Sequence, residues 1–352
     1  MEKFRDKIFN EEVFEKYTKT LPSTKENSLI KNALFTVVNK YKVRMNEQTG
    51  GYQVLEPIKG RIGGDPVNYD GNTNIPKGSE RDTFYQNKIC YGRAKAWGEY
   101  DFASDITGTN FMAEAQEVKD YWDEQRQGVV LSILKGIFSM TGGVDGQFVT
   151  KHTYDITGEA DANLTADALN KAAQKALGDK KAKLDIIFMH SAVSTNLEGL
   201  NLIDFLKYTD ANGIQRDLTI GTFNGRLVIV DDDMPTTEVE ETSEGAGDGY
   251  TAYTSYVFQK GFFEYENIGA ERPNELARDP YDKGGKTDLI TRVREMIVPM
   301  YISYKGTGAV SPTNANFESG SNWELVNNAK TGANKVYVSD KLIPVARIIS
   351  KG

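Results

Sequence analysis

The run TNFMAEAQEVKDYWDEQRQGVVLSILKGIF, residues 109–138, decides how the rest of the chain is read. Apolar residues recur at Phe111, Ala115, Val118, Trp122, Val129, Ile133 and Ile137, and no proline interrupts them. Steps of three, four and seven are the period of one helix face. Thr109 or Asn110 can cap the start, and Glu114 and Glu117 suit the positive end of the helix dipole. At a rise of ~1.5 Å per residue the run predicts a helix of roughly 45 Å, much longer than the common globular helix. Such a rod needs more surface to lie against than a small core offers.

Downstream, Gly142-Gly143 is expected to close this helix, and from 154 to 260 helix and strand patterns alternate. Thr165 caps a helix whose buried side is Leu169, Ala172, Ala173, Ala176 and Leu177, with Gly178 at its end. Leu184–Met189 reads as a buried strand. Ser191 then opens a helix carrying Val193, Leu197, Leu202 and Phe205. Leu227–Val230 and Tyr253–Phe258 read as further strands, separated by an acidic, Gly-rich surface loop at 238–249. An extended stretch at 287–305 places Arg292 and Arg294 on one face, because strand side chains alternate. Leu342–Ile349 is the last strand.

Upstream, residues 2–19 carry Phe4, Ile8, Val13 and Tyr17 at helical spacing among charges, an amphipathic segment that Pro22-Ser23 ends. Tyr52–Leu55 and Phe84–Tyr91 flank a polar, glycine-rich run at 60–78 with Asp70-Gly71 as a two-residue hairpin turn. That run has too few apolar residues to build a core, and a loop this long is uncommon unless it is functional or rests on a neighbour.

Composition narrows the function. With 42 basic and 50 acidic residues in 352, the net charge is −8, and no basic cluster reverses it. A sequence-specific nucleic-acid reader is therefore not expected. Cys90 is the sole cysteine, which excludes intrachain disulfides and thiolate zinc sites. Met1–Lys7 mixes charges without an apolar core, so no secretory signal is expected. The apolar stretch Val129–Met140 is too short to span a bilayer.

Catalytic patterns fail in turn. Lys283-Gly284-Gly285-Lys286-Thr287 has the end of a phosphate loop, but Pro280 stands where the first glycine must be. His190 beside Ser191 is read as a backbone-satisfied histidine at a strand-to-helix turn, since chain neighbours rarely aim their side chains at each other. His152 lies in a polar connector. Asp231-Asp232-Asp233 is read as a solvated strand end rather than a cation site, because the glycine and glutamate of a calcium loop are missing. No catalytic, cofactor or metal site is expected. A soluble α+β protein with an over-long helix, an unsupported hairpin and a floating arm is best explained as a homo-oligomeric structural protein.

Several stretches resemble the major capsid proteins of tailed bacteriophages, the Hong Kong 97-type fold. They are Gly92–Trp97 running through Asp101 and Gly108-Thr109 into the helix that ends Leu134–Phe138; Met189–Ser191 with Leu197 and Leu202–Phe205; Gly221–Gly225 with Val228–Pro235; Arg278-Asp279 with Asp288–Arg292; and Ser311–Asn314 with Asn322–Glu324. Their shared order over residues 92–325 carries the likeness. The resemblance implies an N-terminal arm at 1–50, an extended loop at 51–98 lying across a neighbouring subunit, and a peripheral domain at 99–153 built on a spine helix. It further implies an axial domain at 154–262, a peripheral sheet return at 263–305, and a C-terminal segment at 306–352 expected in the axial domain. Pentamers and hexamers would close an icosahedral head, assembled in the bacterial cytoplasm with a separate scaffolding protein and a portal protein, around double-stranded DNA held by containment. Inter-subunit contacts are expected at Tyr69, Asp70, Gly71, Asn72, Thr73, Asn74, Arg292 and Arg294. Lys59, Lys77 and Lys88 are the lysines available in the loop for the covalent cross-links some members form. An encapsulin-like nanocompartment shell and an unrelated α+β enzyme are the alternative functions.

Overall fold

A computed structural model describes residues 35–47, 52–62, 65–75, 81–107, 115–159, 161–209, 215–239 and 249–351. The expected amphipathic helix at 2–19 lies outside them.

The long helix runs from Ala115 to Ile137, about 35 Å; its expected capping residues Thr109 and Asn110 lie outside the described residues. Its first half is amphipathic. From Val129 to Phe138 only Lys135 is exposed, because this half is covered on both sides. One side meets a buried cluster shared by an eight-stranded and a five-stranded sheet, with Phe138 stacked on Tyr256, and the other meets residues 314–325. Gly136 is what allows the second contact: a Cβ there would lie 1.9 Å from the Phe317 carbonyl oxygen.

The five-stranded sheet is organised by one 14-residue strand, Lys286–Pro299. It pairs antiparallel with Tyr91–Tyr100, Phe263–Asn267 and Asn274–Asp279, and Phe35–Val37 adds a parallel edge beside Phe263–Asn267. Residues 91–98, read from the sequence as part of the extended loop, are thus sheet residues. Directly opposed residues share a face. Arg292 opposes Ala94, and Arg294 opposes Gly92. Thr291, Val293 and Glu295 point the other way, to the long helix, where Trp122 Nε1 donates to Thr291 Oγ1 at 3.1 Å.

The second, eight-stranded sheet has the order Thr153–Asp155, Val345–Ser350, Tyr250–Phe258, Ile186–Met189, Arg226–Val230, Gln215–Phe223, Ile203–Thr209, with Thr236–Val239 also on Tyr250–Phe258. The helix Ala166–Leu177 packs its predicted face on it. Thr165 accepts from the Ala168 N–H, and Gly178 takes φ 60° at the end.

Four expectations need correction. Gly142-Gly143 does not simply stop the chain: Gly143 opens a second helix, Gly143–His152, so His152 is a buried helical residue and not part of a connector. The helix from Ser191 ends at Gly199; Asn201 takes φ 54°, and Ile203–Thr209 is a strand, so neither Leu202 nor Phe205 is helical. The Asp70-Gly71 turn is not a two-residue hairpin turn, since only Gly71 has positive φ. Finally, residues 306–352 divide between the two halves. Trp323–Leu325 pairs with Ile302–Tyr304 beside the long helix, whereas Val345–Ser350 lies inside the eight-stranded sheet.

Candidate inter-subunit surfaces

Gln53–Lys59 and Thr83–Ile89 form an antiparallel hairpin whose register closes at Lys59 opposite Thr83. Its base is moored. Gln86 Nε2 donates to the carbonyls of Pro299 and Ile302, and Asn87 Nδ2 to that of Tyr304. Past the Gly60 N–H bond to the Asp82 carbonyl no further pairing occurs among the described residues.

Residues 65–75 are all exposed, Tyr69 by 91% and Ile75 by 74%. Yet the tip is not shapeless. The Asp70 carboxylate accepts from Thr73 N–H at 2.7 Å, Asn72 N–H at 2.9 Å, Thr73 Oγ1 at 3.0 Å and Asn68 Nδ2 at 3.2 Å. The backbone N–H of Thr73, then that of Asn72, hold this carboxyl down at about 2. The predicted contact residues Tyr69, Asp70, Gly71, Asn72, Thr73 and Asn74 therefore form a turn that is ordered by its own hydrogen bonds and has no core of its own.

Arg292 and Arg294 lie elsewhere, on the sheet face turned away from the long helix. The small residues opposite them, Ala94 and Gly92, leave this face open. Arg292 Nη1 reaches Glu275 at 2.9 Å, and Arg294 Nη1 reaches Asn46 Oδ1 at 3.1 Å. Both border an open cavity of about 640 Å³, lined also by Tyr52, Cys90, Arg93 and Val310, and none of its lining residues is acidic. Burial pushes the Cys90 thiol up to about 11, so it is not a nucleophile near neutral pH. The described hydrogen bonds of the tip stay within the tip, and none joins it to either arginine of its own chain.

The residues weighed for catalysis are used structurally. His190 Nδ1 accepts from Ala192 N–H at 3.1 Å as a helix cap, and Ser191 Oγ stands 3.5 Å from the same nitrogen, at the outer limit of a hydrogen bond. Asp231 Oδ1 caps a turn through Asp233 N–H, and its other carboxylate oxygen accepts from Gln127 Nε2. Among the described residues, no three His, Cys, Asp or Glu gather as a metal set. Lys283, Gly284 and Gly285 all have positive φ in a tight turn between two strands, not at a helix start. No described helix is long and apolar enough to cross a membrane.

His152 is 1% exposed; its Nδ1–H donates to the Val345 carbonyl at 2.6 Å, while its Nε2 meets no partner among the described residues. Burial lowers its proton affinity, against the opposing pull of the Val345 carbonyl and Asp340. The unfolded chain takes up this proton below about pH 6.5, and the folded chain resists doing so. The histidine's contribution is therefore complete above that pH and lost as pH falls toward the depressed folded value. His152→Gln is expected to flatten the decline of Tm between about pH 7 and 5; an unchanged slope in thermal melts would overturn this.

Two buried ion clusters are not visible in the sequence. Arg126 ties the long helix to Glu295 through Nε at 3.0 Å, with Tyr91 and Tyr265 hydroxyls also donating to that carboxylate. Lys88 lies buried on the opposite face of the sheet with Glu56 and Glu264. The only local signal for the second is a lysine within a half-buried strand.

No protein-family model matches the chain. It is 31% identical over 241 residues to the major capsid protein of Bacillus phage SPP1, covering 68% of each chain. In three dimensions it resembles the Cyanophage Pam1 capsid subunit, with TM-score 0.54 and 9% identity over 90% of this chain and 88% of that one. It also resembles the capsid of Helicobacter pylori bacteriophage KHP30, with TM-score 0.54 and 10% identity over 99% and 100%. Sequence identity across two thirds of both chains, on an α+β fold that matches phage capsid structures, leads to one conclusion: this chain belongs to the tailed-phage major capsid proteins of the Hong Kong 97-type fold, structural components of the virion head shell and not enzymes.

Proposed function

We propose that the chain closes its shell from pentamers and hexamers in an icosahedral head, with the hairpin tip Tyr69–Asn74 of each subunit laid on its neighbour. The five-stranded sheet and long helix would be the peripheral domain, and the eight-stranded sheet the axial domain. One observation carries this reading: residues 65–75 hold a preformed turn exposed at every position, and among the described residues none gives Tyr69 or Ile75 a core to bury in. Arg292, paired with Glu275, and Arg294 border a cavity with no acidic lining residue and would meet the adjoining subunit of a chain whose net charge is −8. Separate scaffolding and portal proteins would be further partners, and DNA would be held by enclosure rather than by affinity.

The expressed chain is expected to form rings or closed particles in light scattering and negative-stain microscopy. The double variant Arg292→Glu, Arg294→Glu should arrest assembly at small species while the subunit's Tm stays within a few degrees, because half-exposed ion pairs add little to stability. A monodisperse wild-type monomer at physiological salt would overturn the assembly reading, and normal shells from the double variant would remove the arginines from it.

A further inference from the structure

We propose that Lys88 is a charge latch that joins the base of the extended hairpin and residues 35–47 to the five-stranded sheet as one unit, so that the posture of the hairpin and the seating of that segment change only together. Lys88 is 1% exposed, and a lysine so deeply buried needs every donor matched. Its ammonium has three donors and meets three acceptors. These are Glu56 Oε2 at 2.6 Å, the Tyr41 hydroxyl at 2.8 Å, and Glu264. Each comes from a different part of the chain: the opposite hairpin strand, the segment 35–47, and the sheet strand Phe263–Asn267.

The clasp is closed on itself. Tyr41 donates its hydroxyl to Glu56 Oε2 at 2.6 Å, and its ring lies 4.5 Å from the Lys88 ammonium. Lys40 holds the other Glu56 oxygen at 2.8 Å. Two residues along the sheet strand from Glu264, Glu266 accepts from the backbone N–H groups of Tyr41 and Lys42, the latter at 2.7 Å. It thereby caps the short helix Lys42–Glu47, which has no acidic residue in its own first turn.

Apolar packing at this junction is small: among the described residues the buried cluster is Tyr41, Met45, Val54, Cys90, Ile268, Met296 and Val298, with Val38 packed against it. A purely apolar contact loosens gradually as its members separate. Here, withdrawing any one segment orphans a buried donor, and withdrawing either carboxylate also unbalances the buried charge. Such a network fails as a whole, which is what couples the two segments.

The test is hydrogen exchange on the full-length chain as free subunits, comparing wild type with Lys88→Met, which keeps the bulk of the stem and removes the charge. Amides in 35–47 and in both hairpin strands, 53–59 and 83–89, are expected to exchange about tenfold faster or more, in step, as a local opening. Those of Val129–Ile137 and Ile186–Met189 should be unchanged. Acceleration in only one of the two segments, or in neither, would overturn the proposal. Should Lys88→Met fail to fold, Glu264→Gln, whose side chain is 30% exposed, removes one charge with little change of shape. Paired acceleration in that variant supports the latch, and a response confined to one segment overturns it. The measurement needs no shell, so its failure is distinct from a failure of the hairpin to dock on a neighbour.

Discussion

Leucine in place of Gly136 is expected to unseat residues 314–325 from the long helix and leave a subunit that does not assemble. A Cβ at this position would stand 1.9 Å from the Phe317 carbonyl oxygen and 2.6 Å from Trp323 Nε1. Backbone and a locked indole cannot both give way. The indole N–H already donates to that same carbonyl at 2.7 Å, and the Trp323 ring packs edge-on against Tyr304, with centroids 5.2 Å apart. Even Gly136→Ala forces two backbones apart, and overpacking of this kind costs about 1–3 kcal/mol. Gly136→Leu also displaces Trp323, and removing a buried tryptophan costs roughly 3–5 kcal/mol by itself. Urea titration of the free subunit checks this, with Gly128→Ala in the same helix as the control. A Cβ at Gly128 meets nothing within 4 Å, so helix propensity alone acts and should stabilise by up to about 1 kcal/mol. Equal midpoints for Gly136→Ala and wild type would overturn this expectation.

The same helix shows where sequence reading reaches and where it stops. Its period, the Thr165 cap and the Gly178 terminus are local, and local rules find them. Strand alternation likewise puts Arg292 and Arg294 on one face. What that face looks onto depends on Tyr91–Tyr100 pairing with it, about two hundred residues away in the chain. Gly142-Gly143 misleads because a pair of glycines marks a break but carries no information about the next element: Gly143, at φ 49°, turns the chain straight into a second helix. Leu202 and Phe205 fit a helical spacing, but the positive φ of Asn201 lies between them and the helix that ends at Gly199. Lys88 is beyond the reach of local rules, since its burial requires partners at 41, 56 and 264 to converge, and nothing in the strand Thr83–Ile89 announces them. The capsid resemblance supplies the order of the elements within the α+β class where periodicity alone does not.

The largest functional effect is expected from replacing residues 63–77 with a short Gly-Ser turn. No described residue between 60 and 78 belongs to the buried core. The hairpin keeps its register to Lys59 opposite Thr83, and the Gly60 bond to Asp82 survives. Shortening a connection of this length changes its closure entropy by only a fraction of a kcal/mol, so circular dichroism and the melting temperature of the subunit should hardly move. Assembly should respond differently. The replaced segment carries Tyr69 and Ile75, exposed by 91% and 74%, besides Val67 at 40%, and burying the first two on a neighbour is worth about 1.5–3 kcal/mol each. Repeated at every subunit of a closed shell, that loss multiplies. Particles should therefore fail to form, or appear as fragile, irregular fragments under negative stain, although the free subunit is sound. The tip's own turn sharpens the test: because Asp70 holds it together without outside help, Asp70→Ala alone should loosen the tip and weaken shells part of the way. Normal, stable shells from the 63–77 replacement would mean that the tip hangs free in the lattice, and that subunits are joined elsewhere.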